Sequence, residues 1–584
     1  MRKAIKCLII LSLTFSAADL LSCTNYLVTK GASTDTSTMI SYAADSHIRY
    51  GELYFKPAHV WPKNMLIPLY DRGNNKPLGE VLQARQTYQV VGFMNEYQVS
   101  IGETTFGGRK ELADTTGIVD YGSLMFLALQ RSKSAREAIK VMVDLVNEYG
   151  YASSGESFSI GDPNEVWILE LIGKGTDWVT DGNKKVNKNK GAVWVAIRIP
   201  DGYVSAHANH ARICQFPLEN TSTWQAGEKK SISSKNLDSI FNPDVEVVYA
   251  HDVISFAREK GYFTGDDKDF SFSEAYAPID FEAARFCELR VWAFFNAVCD
   301  GMDKYWDHVT GKDLKTRLPL YVKPNRKLSP LDLMACKRNY LQGTPLDMSK
   351  DIGAGPFGLP YRWRPLTWKY DSNEYFNERV TVTQQTGFSF IAQMRSYLPD
   401  PVGGVFWFGV DDAGSCVYVP FYCGISKVPF PYAEGNGDML TYSDKAAFWI
   451  FNRVAHFAYL FYDRIIPEIH KHQALLENKF YNDLNATDEK AKIMFDYDKT
   501  AGINYITEYT NIIAEYTTSY WKELGNYLLV KYLDGNVKKE KDGKLIYNEY
   551  EFPPSPDFPG YPDSWKKNVI DNTGDKFLIP AKTE

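Results

Sequence analysis

Apolar positions in the first two hundred residues repeat mainly with the period of strands, and once with that of helices. Tyr26-Leu27-Val28 and the run Thr38–Tyr42 read as strands around a turn rich in Gly, Ser, Thr and Asp. Gln89–Met94 predicts a strand, Asn95–Gln98 a hairpin turn, and Val99–Thr105 the returning strand. The period then changes. Residues 121–131 read as a helix. Ser134 starts a second one with Glu137 three residues on, the pattern of a capping box. Ala138, Val141, Met142, Leu145 and Val146 recur at helical spacing until Gly150 ends the run. Glu156–Ile160 and Glu165–Ile172 flank the turn Gly161–Asn164, and Gly191–Ile199 and Tyr203–Ala206 are further strands. Sheet, two helices and sheet again predict an α+β fold built as a layered αββα sandwich.

The rest of the chain is less regular. Asp252–Lys260 and Phe281–Cys299 have helical periodicity, and residues 240–340 read as a mostly helical insertion whose end, 300–345, is loop-rich. Strand-like segments return at Arg379–Thr383, Ser389–Arg395, Gly404–Val410 and Cys416–Val419. From about Ser443 to Lys531 the pattern is helical, and the Pro-rich tail after 550 reads as an extended arm. The division expected is therefore a main domain over 23–440 and a helical C-terminal region over 441–584.

Residues 1–22 stand apart. Arg2, Lys3 and Lys6 precede an apolar run from Cys7 to Phe15 and the small residues Ser16-Ala17-Ala18, which is the pattern of a secretory signal. Cleavage after Ala18 leaves residues 19–22 as a short propeptide; cleavage after Ser22 leaves Cys23 first. The mature protein is thus expected outside the cytoplasm, in the periplasm or secreted. No later stretch holds 18 uninterrupted apolar residues, so no membrane is expected as a partner of the mature form. Removing three basic residues and one acidic residue takes the net charge from −7 to about −9, which argues against nucleic acid. An aromatic content of 14% favours a large packed core. The seven remaining cysteines are too widely spaced for a zinc motif, and buried thiols or disulfides both fit them. Oligomeric state is not readable.

A mature chain that begins with Cys23 carries a thiol and an α-amine on one residue. Their reference pKa values, about 8.5 and about 8, allow the amine to serve as general base to the sulfur. A disulfide half, or a lipid attachment site at Leu20-Leu21-Ser22-Cys23, are the alternatives. His207 and His210 lack the spacing and third ligand of a metal site, and no metal or cofactor is expected. Asn209, after a strand, is suited to donate its amide to an oxyanion.

Longer motifs carry a resemblance. The run at Cys23, MNEY…IGETTFGG at 94–108, SAREAI at 134–139, AHANHARI at 206–213, the segment 343–368 and the run 383–412 resemble the secreted cysteine dipeptidases of dipeptidase A type. These are N-terminal-nucleophile hydrolases, related to penicillin V acylase and bile salt hydrolase. The resemblance implies a four-layer αββα sandwich with an added helical C-terminal region, and dipeptide hydrolysis through a thioester on Cys23. It implies Asp45 as the carboxylate that holds the α-amine, Asn209 as oxyanion donor, and the backbone near Thr104 or Thr105 as second donor. The acylase relatives have an arginine three residues before their aspartate, where this chain has Tyr42, and a second, distant arginine for which Arg395 is a candidate. Glu103 is a candidate partner for the substrate's free amine, or half of a structural salt bridge. The rival functions are an N-acyl amidase, with the same chemistry and a different pocket, and a non-enzymatic surface lipoprotein.

Overall fold

The computed structural model describes residues 23–219, 229–363 and 365–580; the leader lies outside them. The chain opens with the antiparallel pair β1 (Thr24–Val28) and β2 (Thr38–Asp45) and later reaches β3 (Ser100–Gly107). Helices α1 (Tyr121–Leu129) and α2 (Ala135–Tyr149) follow, then strands β4 (Gly155–Gly161), β5 (Val166–Gly173), β6 (Ala192–Arg198), β7 (Val204–His207) and β8 (Val245–Tyr249). Next come α3 (Leu289–Val298), α4 (Pro330–Lys337), and strands β9 (Thr386–Met394), β10 (Gly404–Val410) and β11 (Val419–Tyr422). Three helices, α5 (Ala447–Leu460), α6 (Tyr462–Tyr497) and α7 (Lys499–Lys531), precede the short C-terminal α8 (Asp563–Thr573).

Two large sheets form a mixed α and β structure. The first runs Tyr321–Val322, β7, β1, β2, β9, β10, β11, and is antiparallel throughout. The second has nine strands in the order Lys230–Ser233, β8, β6, β5, β4, β3, Met94–Asn95, Val90–Val91, Phe55–Lys56. Every residue of β2, β5, β9 and β10 is buried. Strands buried on both faces need cover on both sides. On one side β2 meets β3, β4 and β5 of the other sheet. On the outer sides α2 packs on β4, β5 and β6, while α3, α4, α5 and α7 pack on β7, β9, β10 and β11 respectively.

Several local expectations change. The run 89–94 is not one strand, because Gly92 turns with φ +60° and lets the chain press against the Phe406 ring, where a Cβ would collide. The Ser134 hydroxyl accepts from the Glu137 N–H at 3.2 Å, but the Glu137 carboxylate accepts from the Lys133 N–H, so only half of the capping box forms. The 240–340 stretch contributes strand β8 to the second sheet. The loop-rich segment holds α4, whose start has the complete box: Ser329 and Asp332 cap each other's backbone N–H, with Pro330 in the first turn. Arg379–Thr383 is not a strand, since Arg379 turns inward to a buried carboxylate. The last strand of the first sheet begins at Val419 rather than Cys416. The Pro-rich tail ends in α8. All seven cysteines of the described residues are free thiols.

Candidate active site

Register decides what meets at one sheet edge. Thr24 pairs with Ala43 and Asn25 with His207. The start of β1 therefore lies level with the ends of both neighbours, β2 and β7. Cys23, Asp45 and Asn209, far apart in sequence, come to the same edge because antiparallel partners run out there together. Asn25 adds a link to the second sheet: its side-chain amide bridges the N–H and C=O of Glu103, at 3.1 and 3.2 Å, as a neighbouring strand would. That fixes Glu103 beside Cys23.

Cys23 is 2% exposed. Its sulfur lies 3.6 Å from the Tyr42 hydroxyl and 3.8 Å from Glu103 Oε1, and Tyr42 donates to the same carboxylate oxygen at 2.5 Å. Burial first, then the nearby Glu103 and Asp45 carboxylates, push the Cys23 thiol well above its ordinary range. A thiol so placed is protonated at neutral pH and would need a base to act as a nucleophile. Asp45 is fully buried and held by Arg379, by the Thr386 hydroxyl at 2.7 Å and, at its carbonyl, by Gln385. The cation beside Asp45 thus comes from a segment more than three hundred residues later, while Tyr42 faces the sulfur.

One arginine joins the strand that follows Cys23 to the Asn209 loop. Arg290 donates through Nη1 to the Cys23 carbonyl at 2.6 Å and Thr24 Oγ1 at 2.9 Å, and through Nη2 to Asn209 Oδ1 at 3.0 Å. Asn209 Nδ2 donates to the Thr105 carbonyl at 2.8 Å. Asn209 has φ +59°, a left-handed backbone that asparagine tolerates better than most residues. The turn after it is anchored by Arg212, which pairs with buried Glu288 at 2.9 Å, and by Glu170, which accepts the Arg212 and Ile213 N–H groups. Arg290 itself follows π-helical turns over Ala283–Glu288, a distortion often found at functional sites. Thr105, Phe106, Asn209, His210, Phe286 and Arg290 line part of a cavity of about 400 Å³ beside this edge.

The other expected residues divide. Thr105 reaches the cavity wall, and its hydroxyl donates to Glu156 at 3.0 Å. Thr104 instead meets His207 Nδ1 at 2.7 Å, and Ser159 meets His207 Nε2 at 2.7 Å. Both ring nitrogens are therefore used, and burial pushes the imidazole down to about 3. Glu103 forms no salt bridge with a described residue. Arg395 is a correction: it pairs with Asp488 of α6 and with the carbonyls of Val402 and Gly403, so it clamps a helix and takes no part at this edge.

Sequence reasoning missed Arg290, Arg379 and Lys337. Lys337, 1% exposed, donates to the Thr24 carbonyl and sits 4.4 Å from the centre of the Tyr26 ring. Burial pushes its amine down to about 7, against the pull of Asp45 and Cys23. A signal existed for two of them. Arg290 sits in the run Phe286–Phe295, where most neighbours are apolar at every helical angle, so its side chain had to be buried. Lys337 ends a helix announced by the Ser329-Pro330-Leu331-Asp332 box.

The model of peptidase family C69 matches residues 22–474. A probable dipeptidase of Latilactobacillus sakei is 25% identical over 75% of this chain and 81% of its own length. A probable dipeptidase of Salmonella dublin is 23% identical over 56% of this chain and 61% of its own length. A probable dipeptidase B of Lactococcus lactis is 23% identical over 85% of this chain and 92% of its own. The family match begins next to Cys23 and runs through both sheets into α6, so the chain belongs to peptidase family C69.

Proposed function

We propose that this peptidase is an extracytoplasmic dipeptidase of the N-terminal-nucleophile kind, with a four-layer αββα core, Cys23 as first residue of the mature chain, and dipeptides as substrates. The observation that carries the reading is the meeting of Cys23, Asp45 and Asn209 at one sheet edge beside a cavity. The packing of α2 and of α3–α7 on opposite outer faces supports the layered core. The names of the relatives support the substrate class.

Removal of residues 1–22 turns the Cys23 amide nitrogen into an α-amine, with a reference pKa of about 8. The amine takes the thiol proton as the sulfur attacks the scissile carbonyl, and Asp45 favours the ammonium that results. The developing oxyanion is met by the Asn209 amide and a backbone N–H near Thr104 or Thr105. Collapse breaks the C–N bond, the α-ammonium returns the proton to the leaving amine, and a thioester remains on Cys23. Water, deprotonated by the same α-amine, releases the acyl group as a carboxylic acid and restores the thiol. Arg290 bonds both the Cys23 carbonyl and Asn209 Oδ1, and so sets the distance between nucleophile and oxyanion donor.

The test is an intact mass of the secreted protein followed by iodoacetamide treatment and a dipeptide assay. The expected mass corresponds to a chain starting at Cys23 without lipid. Alkylation or Cys23→Ala is expected to lower turnover by about four orders of magnitude. Full activity in a protein starting at Asp19, a lipid on Cys23, or activity surviving alkylation overturns the proposal.

A further inference from the structure

Beside Glu103 lies a second carboxyl group that the mechanism does not use. Glu156, on β4, is fully buried, and its Oε1 receives no hydrogen bond from a described residue; the same is true of Glu103 Oε2. The two side chains are within hydrogen-bonding reach of each other. Burial and the Glu103 charge push Glu156 well above the ordinary carboxylate range. Among the described residues no lysine or arginine pairs with either. Arg49 and Arg72, which flank the nearby Tyr121, are engaged elsewhere, Arg49 with the Arg72 carbonyl and Arg72 over the Phe126 ring.

A buried acid pair without a cation is costly unless something cationic completes it. Its position says what. Glu103 Oε1 is 3.8 Å from the nucleophilic sulfur. In an amino acid the amine nitrogen is about 2.5 Å from the carbonyl carbon, from two bond lengths and the angle between them. An ammonium on Glu103 therefore leaves its own carbonyl within the ~3–3.5 Å of sulfur needed for attack. One residue, Thr105, separates Glu156 from the cavity: its hydroxyl bonds to the Glu156 carboxylate at 3.0 Å and it forms part of the cavity wall.

We propose that Glu103 and Glu156 together form the subsite for the substrate's free α-ammonium, so that the enzyme strongly favours peptides with an unblocked N-terminus and acylates Cys23 with their first residue. This rests on the reading of Cys23 as nucleophile. Glu156 supports Glu103 from behind, and Tyr42 orients the oxygen nearest the sulfur.

The experiment compares alanyl-alanine with propionyl-alanine, the same molecule with hydrogen in place of the ammonium, on mature enzyme of verified N-terminus. The wild type is expected to favour the free dipeptide strongly, because an analogue lacking the ammonium leaves buried acids unpaired. Glu103→Gln is expected to lose at least about 30-fold in kcat/KM on alanyl-alanine, mostly through KM, and less than about threefold on propionyl-alanine. Glu156→Gln, the second variant should the first not fold, is expected to lose about tenfold in the same sense. Equal losses on both substrates overturn the proposal and assign Glu103 to the enzyme's own α-amine. An unchanged preference in variants that melt like wild type overturns it as well. Activity that survives alkylation of Cys23 overturns the functional reading itself, an outcome distinct from the other two.

Discussion

Two buried arginine–aspartate pairs lie in the same sheet sandwich and do opposite things. Arg395 and Asp488 are 1% and 7% exposed, and Arg379 and Asp45 are 2% and 0%. Around Arg395 the polar groups are closed off. Nε and Nη2 donate to the Gly403 and Val402 carbonyls at 2.9 Å, and Asp488 also accepts from Tyr422 at 2.6 Å. The result fixes α6 to the end of β9 and to β11. Around Arg379 and Asp45 the satisfied groups sit beside unfinished ones: a protonated thiol, two carboxyl oxygens without donors, and a lysine whose charge burial opposes. Burial alone does not separate a clamp from a reactive site. Completeness of the hydrogen bonding does, because an incomplete buried polar group persists only where something else will complete it.

The contrast can be broken at its closed end first. Arg395→Met leaves Asp488 buried without its cation and is expected to cost about 3–5 kcal/mol of stability, read by urea denaturation. Turnover per folded molecule should stay within about twofold of wild type, since α6 carries no group of the site. A large fall in kcat at unchanged stability would erase the distinction drawn above.

At the open end the expectation reverses. Asn209→Gly keeps the left-handed backbone that alanine would strain, and it removes the amide. It should lower kcat by about 100- to 1,000-fold, equivalent to about 2.7–4 kcal/mol, with a melting temperature near wild type. Retention of more than about half the activity would remove Asn209 from the oxyanion site.

The smallest effect per step concerns Lys337. Its folded pKa is about 7, while an unfolded lysine titrates near 10.4. Between those values the unfolded chain binds a proton that the folded chain lacks, so this residue's contribution to stability rises with pH. The slope is at most about 1.4 kcal/mol per pH unit and vanishes below 7 and above about 10.4. Denaturation of wild type and Lys337→Met at pH 7, 8, 9 and 10 should show the difference between them growing in favour of wild type. A constant difference would mean that Lys337 stays charged when buried.

Much of the mixed α and β structure was legible because its strands and helices keep their periods over long runs, as at Val166–Gly173 and Ala135–Tyr149. Cys23 was legible from the leader ahead of it and Asn209 from its place after a strand, but Asp45 only through motifs, because nothing local says that three strand ends coincide. The arginines were misassigned for a related reason. Arg395 follows a strand in a glycine- and proline-rich context that suits a site, yet its partner Asp488 lies on a helix ninety-three residues on. Arg379 occupies a segment that alternates like a strand, and only the tertiary turn toward Asp45 reveals its task. Lys337 was missed when residues 300–345 were read as loop although Ser329 and Asp332 spelled out a helix start.

Chain ends ordinarily fray, but β1 is clasped between β2 and β7. Its leading residue is therefore among the least accessible in the protein, although proteases usually find termini first. Exopeptidases that nibble from the front would gain no grip on the mature chain proposed above, which opens at Cys23. At the other end Leu578 and Ile579 face solvent, so an affinity tag near them needs no buried space.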